Sequence, residues 1–211
     1  ELAVKWVYAA DETMKEPYRD NLQSLLHEPT FRFAVNRTTG AALSYEIDGT
    51  ELFADGFGVR PNFWRAPVDN DYGDGMPRRT QVWKEASRDA DAEVTGRMEG
   101  DAAVIAATRA LAGGNRVTTT YTVYPSGAVN VRMHFAPGEE PMPEMPRYGV
   151  RFRLPERMDA FAYFGRGPEE NYWDRKAGTF VGRYETSARR ECFPYVRPQE
   201  TGHHCDTEWI D

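Results

Sequence analysis

A strict alternation of apolar and polar residues limits what this chain can fold into more than any other feature of its sequence. Between Val117 and Val123 every second residue shares one face, and the alternation resumes from Val129 to Phe135 after a turn at residues 125–127. Successive side chains on a β-strand point to opposite faces, so this pattern is typical of strands with one buried face. Two such runs joined by a short turn that contains Pro and Gly predict a β-hairpin.

The same pattern recurs elsewhere in the chain. Residues 31–35 and residues 43–47 alternate on either side of a turn that ends at Gly40, which predicts a second hairpin. Residues 150–154 alternate as well, and Pro155 is expected to end that strand because proline lacks the N–H that a sheet requires.

Helical periodicity is confined to one short segment, residues 77–86, in which Pro77 suits the first helical turn. Residues 136–146 contain four prolines and are expected to form an exposed loop between strands. Residues 11–24 are polar and weakly periodic, so we expect an irregular lead-in there. Strand after strand separated by Gly and Pro turns predicts an all-β fold, an antiparallel sandwich or a related barrel.

Charge narrows the possible partners. The 211 residues include 26 Lys and Arg against 33 Asp and Glu, which gives a formal net charge of −7 at pH 7. Phosphate backbones and anionic membranes select basic faces, so neither nucleic acid nor a membrane is expected as a partner. The chain begins at Glu1 without a methionine, which suggests a segment of a longer protein. The sequence favours no cellular compartment.

The cysteines and a histidine pair offer little chemistry on sequence grounds. Cys192 and Cys205 are expected to be free thiols. A zinc site built from Cys205, His203 and His204 is not expected, because adjacent histidines rarely reach the same metal ion. Either histidine could act as a general acid or base, but solvated loop histidines are the simpler interpretation.

Residues 61–75, PNFWRAPVDNDYGDG, are the first candidate for a site. Their carboxylates do not have the spacing of a calcium loop. One interpretation is structural, because Asp and Asn side chains accept hydrogen bonds from nearby backbone N–H groups and hold tight loops. The other is sugar binding, in which hydroxyl groups meet polar side chains and a C–H face stacks on aromatic rings. The rings would be Phe63, Trp64 and Tyr72, and the polar groups Arg65, Asp69, Asn70 and Asp71.

A pair of adjacent glutamates, Glu169 and Glu170, is the second candidate. A glycosidase needs two carboxyl groups that face each other across a bond, roughly 5 to 9.5 Å apart. Neighbouring residues of an extended chain point to opposite faces, so this pair cannot serve together. We expect one of them to form an ion pair with Arg166 or Arg175.

Three motifs in a fixed order carry a resemblance to a known family. They are FWRAPVDNDYG (residues 63–73), YFGRGPEENYWDRKAG (residues 163–178) and PYVRPQETGHHCDTEW (residues 194–209). Together they resemble the C-terminal domain, domain 5 or the small chain, of the large bacterial β-galactosidases of glycoside hydrolase family 2. On this resemblance, residues 31–211 form the small-chain domain and residues 1–30 lead in from a preceding linker domain.

The resemblance implies a fold and an activity. The fold is a twisted antiparallel β-supersandwich similar to galactose mutarotase, incomplete here because the family's domain continues beyond Trp209. The activity is hydrolysis of terminal non-reducing β-D-galactosides with retention at the anomeric carbon, by an enzyme that is a homo-oligomer. The family's two catalytic glutamates lie in a TIM barrel in another part of the protein, so no residue of this chain is expected to be catalytic. The full-length enzymes commonly use Mg and Na, at sites not expected in this chain.

The resemblance also gives the first candidate a role. The family's C-terminal domain helps to wall the galactoside pocket at the barrel mouth, and the loop after its DND-x-G motif, which corresponds to residues 73–80 here, is mobile. We name residues 65–75 the candidate segment, and expect Arg65 to anchor it through Asp69 or Asp71. The implied pocket residues are Arg65, Asp69, Asn70, Asp71, Gly73 and Gly75.

Two alternatives to this role remain open. One is a stand-alone aldose epimerase of the mutarotase type, which would use a histidine as acid and a glutamate as base. The other is a non-catalytic carbohydrate-binding module. His203 and His204 depart from the family's pattern at that position, so the resemblance gives them no role.

Overall fold

The structure is a computed structural model that describes residues 2–6 and 30–211. Its regular structure is mainly β, and every strand pair is antiparallel. The strands are β1 (Leu2–Trp6), β2 (Phe31–Val35), β3 (Ala42–Ile47), β4 (Thr50–Glu51), β5 (Arg60–Asn62), β6 (Glu93–Glu99), β7 (Ala102–Ala110), β8 (Arg116–Val123), β9 (Val129–Ala136), β10 (Gly149–Arg151), β11 (Ala160–Gly167), β12 (Phe180–Ser187) and β13 (Trp209–Ile210). The all-β prediction is confirmed, whereas the likeness to galactose mutarotase and the incomplete sandwich stay predictions.

Helices occupy few of the described residues. The α-helices there are α1 (Asp69–Asp74), α2 (Met76–Arg79) and α3 (Gln81–Ala86). Single 3₁₀ turns occur at Ala54–Gly56, Ala112–Gly114, Glu156–Met158 and Lys176–Gly178. Within the described ranges, no helix combines the length and the apolar character that crossing a membrane requires.

The described residues divide into two compact units. The first unit comprises the described residues up to Phe63 together with Val82–Arg153. The second unit comprises Trp64–Gln81 together with Leu154–Asp211. The predicted irregular lead-in at residues 11–24 lies outside the described residues, and the predicted domain boundary at residue 30 stays a prediction.

In the first unit, two four-stranded sheets contribute side chains to one hydrophobic core. Their strand orders are β1-β2-β3-β4 and β6-β7-β8-β9. Both predicted hairpins are confirmed: β2 pairs with β3, and β8 pairs with β9 from Val123–Val129 outward. The alternation on β8 puts Thr119, Tyr121 and Val123 on the buried face of the strand. Each of these three residues is at most 3% exposed. The buried members of the core are Phe31, Phe33, Val35, Ala42, Phe53, Val59, Ala103, Ile105, Tyr121 and Val123.

The predicted strand at residues 150–154 is correct only as far as Arg151. Strand β10 pairs with β5 over three residues and then ends. The backbone N–H of Arg153 donates to Phe57 O, and its carbonyl accepts from Ala54 N, both at 2.9 Å. These partners belong to the 3₁₀ turn at Ala54–Gly56 and its following residue, so the chain follows a turn and cannot extend the sheet.

The helix predicted at residues 77–86 is divided in two, and the loop predicted at residues 136–146 is partly buried. Thr80 separates α2 from α3, with φ −103° and ψ 15°, and its hydroxyl donates to Met76 O at 2.9 Å. In the loop, Pro143 O accepts a hydrogen bond of 2.9 Å from Trp83 Nε1. A buried indole N–H requires such an acceptor. Met142 and Met145 of the loop also pack on a second apolar cluster of the first unit, formed by Phe63, Trp83 and Val117.

The second unit is built around a three-stranded sheet in the order β12-β11-β13. Tyr163 lies at the centre of β11, paired with Tyr184 on one side and Ile210 on the other, and its side chain is 1% exposed. The remaining residues of this unit are mostly turns and extended segments held by side-chain hydrogen bonds. Those segments carry the candidate site.

Candidate functional site

The candidate segment begins at a bidentate ion pair. Arg65 Nη1 and Nη2 donate to Asp71 Oδ2 and Oδ1 at 2.5 and 2.8 Å, and the backbone N–H of Val68 donates to Asp71 Oδ2 at 2.7 Å. Asp71 is the third residue of α1, and its carboxylate reaches back to the amide that precedes the helix. The predicted anchoring of Arg65 is therefore confirmed for Asp71. The prediction of a loop is wrong for residues 69–74, which form helix α1. The Asp71 carboxylate stabilises the start of this helix because it accepts from the Val68 N–H, which has no partner within the helix.

Both charges of this pair are half-buried, with side-chain exposures of 23% for Arg65 and 12% for Asp71. Burial alone would raise the pKa of Asp71, but the hydrogen bonds from Arg65 and from the Val68 amide outweigh it and lower the pKa below its ordinary value. The hydrogen bond to Asp71 also raises the pKa of Arg65. Both groups are charged at neutral pH, so the contact is a charge-assisted one.

Asp69 and Asn70 lie on the exposed side of α1. Arg197 Nη1 is 3.5 Å from Asp69 Oδ1, and the guanidinium carbon of Arg197 is 4.1 Å from the centroid of the Tyr72 ring. Gln199 Oε1 accepts a 3.1 Å hydrogen bond from the backbone N–H of Asp69. Residues 197–199 therefore lie over the start of the helix.

The two glycines of the candidate segment have different positions. Gly73 is inside α1, whereas Gly75 ends α1 with φ 75° and ψ 18°, and its N–H donates to Asp71 O. A Cβ at either glycine would meet nothing within 4 Å, so only the left-handed backbone of residue 75 calls for glycine. The chain then turns into α2, where Met76 is 4% exposed. The expected mobility of residues 73–80 stays a prediction.

An open cleft of about 730 Å³ lies in the second unit beside the candidate segment. Four of the six predicted pocket residues line it, and Gly73 and Gly75 do not. Its lining residues are Arg65, Val68, Asp69, Asn70, Asp71, Tyr172, Trp173, Asp174, Arg175, Tyr195, Gln199 and Glu200.

A second ion pair supports the opposite part of the cleft. Arg175 Nη2 donates to Glu170 Oε1 at 2.6 Å and to the hydroxyl of Tyr195 at 3.0 Å. The Tyr195 hydroxyl donates to the same carboxylate, and the backbone N–H of Gly202 donates to Glu170 Oε2 at 2.8 Å. Burial opposes these donors, but together they lower the pKa of Glu170. The predicted pairing of a glutamate with Arg175 is confirmed; Arg166 instead pairs with an aspartate, Asp206, at 2.6 Å.

Tyr172 is packed at the base of this cleft. Its ring stacks on that of His203, with centroids 4.8 Å apart and an interplanar angle of 17°. Its hydroxyl is buried and has no hydrogen-bond partner in the part of the chain that the structure describes. Burial and, after it, the nearby carboxylates of Glu200 and Glu170 raise the pKa of Tyr172. The phenol therefore stays protonated and available as a donor.

The interpretation of His203 and His204 as solvated is wrong. His203 Nδ1 lies 2.8 Å from Asn171 O. His204 Nδ1 lies 2.8 Å from Arg166 O, and its Nε2 lies 2.7 Å from Glu191 Oε2, in a side chain that is 9% exposed. The two rings therefore face Asn171 O, Arg166 O and the Glu191 carboxylate rather than solvent. Because both nitrogens of His204 are engaged, the structure offers no support for its use as the acid of an epimerase.

The aromatic residues of the site differ from those predicted. Phe63 is fully buried in the core of the first unit, so the prediction that its ring faces a sugar is wrong. Tyr72 is 42% exposed and lies beneath Arg197, and Trp64 does not line the cleft. The cleft instead contains rings that sequence reasoning missed: Tyr172, Trp173 and Tyr195. Each belongs to one of the quoted motifs, but spacing alone gave no sign that these motifs meet α1.

Cys192 and Cys205 are free thiols, as predicted, the first exposed and the second buried. Among residues 30–211, no group of three or more His, Cys, Asp or Glu side chains is arranged to hold a metal ion. The expectation that Mg and Na bind elsewhere stays a prediction.

The chain shares most of its length with known proteins. The Beta-galactosidase of Priestia megaterium is 38% identical over 183 residues, which cover 85% of this chain and 17% of that protein. The Beta-galactosidase of Streptococcus thermophilus is 31% identical over 182 residues, which cover 84% of this chain and 17% of that protein. The Beta-galactosidase small subunit of Latilactobacillus sakei is 29% identical over 208 residues, which cover 88% of this chain and 64% of that protein. The chain thus spans 17% of the length of the first two relatives.

A family model described as Beta galactosidase small chain matches residues 27–211. Residues 63–73, 163–178 and 194–209, which carry the sequence resemblance, all fall within the match. Because the match covers most of its residues, the chain belongs to the β-galactosidase small chain family.

Proposed function

We propose that this chain is the C-terminal small-chain domain, domain 5, of a glycoside hydrolase family 2 β-galactosidase. The longer protein, here called the parent protein, would hydrolyse terminal non-reducing β-D-galactosides with retention and would form a homo-oligomer. In this proposal residues 31–211 are the domain and residues 1–30 lead in from a linker domain. The single observation that carries the proposal is the family match over residues 27–211.

The chemistry of the cleft supports a role without bond breaking. A glycosidase acid must hold a proton near neutral pH, which requires a raised pKa. Asp71 and Glu170 have lowered pKa values because each is held by an arginine and by a backbone N–H. On the family resemblance, we place the catalytic glutamates in a separate TIM barrel of the parent protein, together with the sites for Mg and Na, and expect the isolated chain to be inactive.

The candidate segment would then wall the galactoside pocket. Arg65 and Asp71 fix the start of α1, and Asp69 and Asn70 stand exposed beside the cleft. A fixed helix end presents polar side chains at constant positions, which is what a binding wall requires.

The test is Arg65→Ala in the parent protein, with Arg183→Ala as the matched control. Arg183 also forms an ion pair with a carboxylate, that of Glu185, but this pair is exposed, at 60% and 70%, and does not line the cleft. We expect Arg65→Ala to reduce kcat/KM for a chromogenic galactoside by at least roughly tenfold, because a displaced positioning group can reduce rates by up to a hundredfold. The control should retain the kcat/KM of the unchanged protein. Equal kcat/KM values in the two variants would refute the pocket role, and a parent protein without galactosidase activity would refute the enzyme itself.

A further inference from the structure

Trp173 is the most exposed aromatic side chain of the cleft, with 79% of its surface accessible. The ammonium of Lys176 lies 3.9 Å from its ring centroid and also contacts Asp206 Oδ2 at 3.1 Å, so one face of the indole is fixed in place. The high exposure leaves the rest of the ring open to solvent. An indole held by a cation–π contact at the edge of a cleft can accept a ligand by stacking.

Two polar side chains of the same cleft are unused. Among residues 30–211, Asn70 and Asp174 form no hydrogen bond or ion pair through their side chains, and both line the cleft. Asp174 follows the tryptophan directly in the sequence, and Asn70 belongs to α1. An amide and a carboxylate together offer donors and acceptors to hydroxyl groups.

The charges of the cleft select against anions. Four carboxylates and two guanidinium groups line it, and both guanidinium groups are already paired, Arg65 with Asp71 and Arg175 with Glu170. A phosphate or carboxylate ligand would meet an excess of negative charge. Neutral hydroxyl groups can donate to the free acceptors without that penalty. A volume of about 730 Å³ also lies in the range of roughly 300 to 1,000 Å³ that is typical of small-molecule sites.

We propose that this cleft binds a neutral saccharide, with a C–H face of the sugar stacked on Trp173 and its hydroxyl groups bound by Asn70 and Asp174. The choice of a galactoside as that saccharide rests on the proposed function. The binding itself needs no other domain, so the 211-residue chain alone should show it.

The experiment titrates lactose into the 211-residue chain and follows the indole N–H signal of Trp173 by NMR, assigned from its loss in Trp173→Ala. We expect saturable shifts in the unchanged chain and roughly a five- to tenfold weaker affinity in Trp173→Ala, the loss expected for one stacking contact. The matched control is Phe180→Ala, because Phe180 is 77% exposed but does not line the cleft. It should bind lactose as the unchanged chain does. Galactose 6-phosphate, the anionic probe, should bind more weakly than lactose.

A second variant, Asn70→Ala with Asp174→Ala, keeps the stacking ring and removes the polar partners. It should weaken lactose binding by a similar factor. The proposal is overturned if lactose gives no saturable shift, if Trp173→Ala and Phe180→Ala bind lactose equally, or if galactose 6-phosphate binds as well as lactose. These outcomes are separate from the proposed function, because galactosidase activity of the parent protein can persist when the chain binds no lactose. Conversely, the chain can bind lactose when the parent protein has no galactosidase activity.

Discussion

Removal of the Asp71 carboxylate is expected to destabilise the second unit by about 2 kcal/mol. Asp71→Ala deletes a carboxylate that accepts from Arg65 twice and from Val68 once. Truncation of one partner of a fully buried pair costs about 3 to 5 kcal/mol, and exposed pairs contribute about 0.2 to 1 kcal/mol. With exposures of 23% and 12%, this pair falls between those limits. A loss of about 2 kcal/mol lowers the Tm by roughly 4 to 8 °C in a chain of this size.

The assay is thermal unfolding by circular dichroism, with hydrogen exchange of the Val68 amide as a local measurement. Asp69→Ala is the control in the same helix, because Asp69 lies 3.5 Å from Arg197 and is 64% exposed. We expect the control to lose less than about 0.5 kcal/mol. In Asp71→Ala the Val68 amide should exchange faster, since its acceptor is gone. If both variants melt together and the Val68 amide keeps its protection, Asp71 is not the anchor that the geometry indicates.

The pH dependence of this effect follows from the sign of the pKa shift. The pKa of Asp71 is lowered in the folded chain relative to its ordinary value of 3.8. Such a group adds stability above the ordinary value, and that stability is lost as the pH falls toward the folded value. The difference in Tm between the unchanged chain and Asp71→Ala should therefore be full at pH 7 and should shrink as the pH drops below 4. A difference that grows on acidification would contradict this assignment.

Two further predictions concern backbone and buried polar groups, and both are measured by chemical unfolding. Gly75→Ala should lower the free energy of unfolding by about 1 kcal/mol, because residue 75 has a left-handed φ of 75°. Gly73→Ala should raise it by up to about 1 kcal/mol, because residue 73 is inside a helix. Equal effects would show that residue 75 has no left-handed requirement. Asn171→Asp should lower the free energy of unfolding by about 3 kcal/mol. The Asn171 amide donates to Arg166 O at 3.0 Å and to Glu169 O at 3.1 Å, and a carboxylate in its place would face both carbonyls. A loss below about 1 kcal/mol would show that these two hydrogen bonds contribute little to stability.

The strands could be predicted because the information that specifies them is local. Alternation over eight residues indicates which side of β8 is buried, and a turn of five residues, 124–128, connects β8 to β9. The Arg65–Asp71 contact was also within reach, since the two residues are six positions apart. The division of the helix at Thr80 was not, because it depends on a side-chain hydrogen bond to Met76 O that periodicity does not register.

The cleft could not be predicted because its walls are distant in sequence. Asp69 and Gln199 are 130 positions apart, and only the folded second unit brings them together. The burial of His204 was missed for the same reason, since its partners on β11 and at Glu191 are non-local. Phe63 was assigned to the wrong face because an aromatic residue beside polar ones suits either a core or a site. Local sequence does not distinguish the two.

We propose that this chain supports a galactoside pocket and breaks no bond itself. The most direct test compares hydrolysis of a chromogenic β-galactoside by the parent protein and by the purified 211-residue chain. We expect turnover with retention of anomeric configuration in the parent protein and none in the chain. Turnover by the chain alone, in a preparation free of host galactosidase, would contradict it.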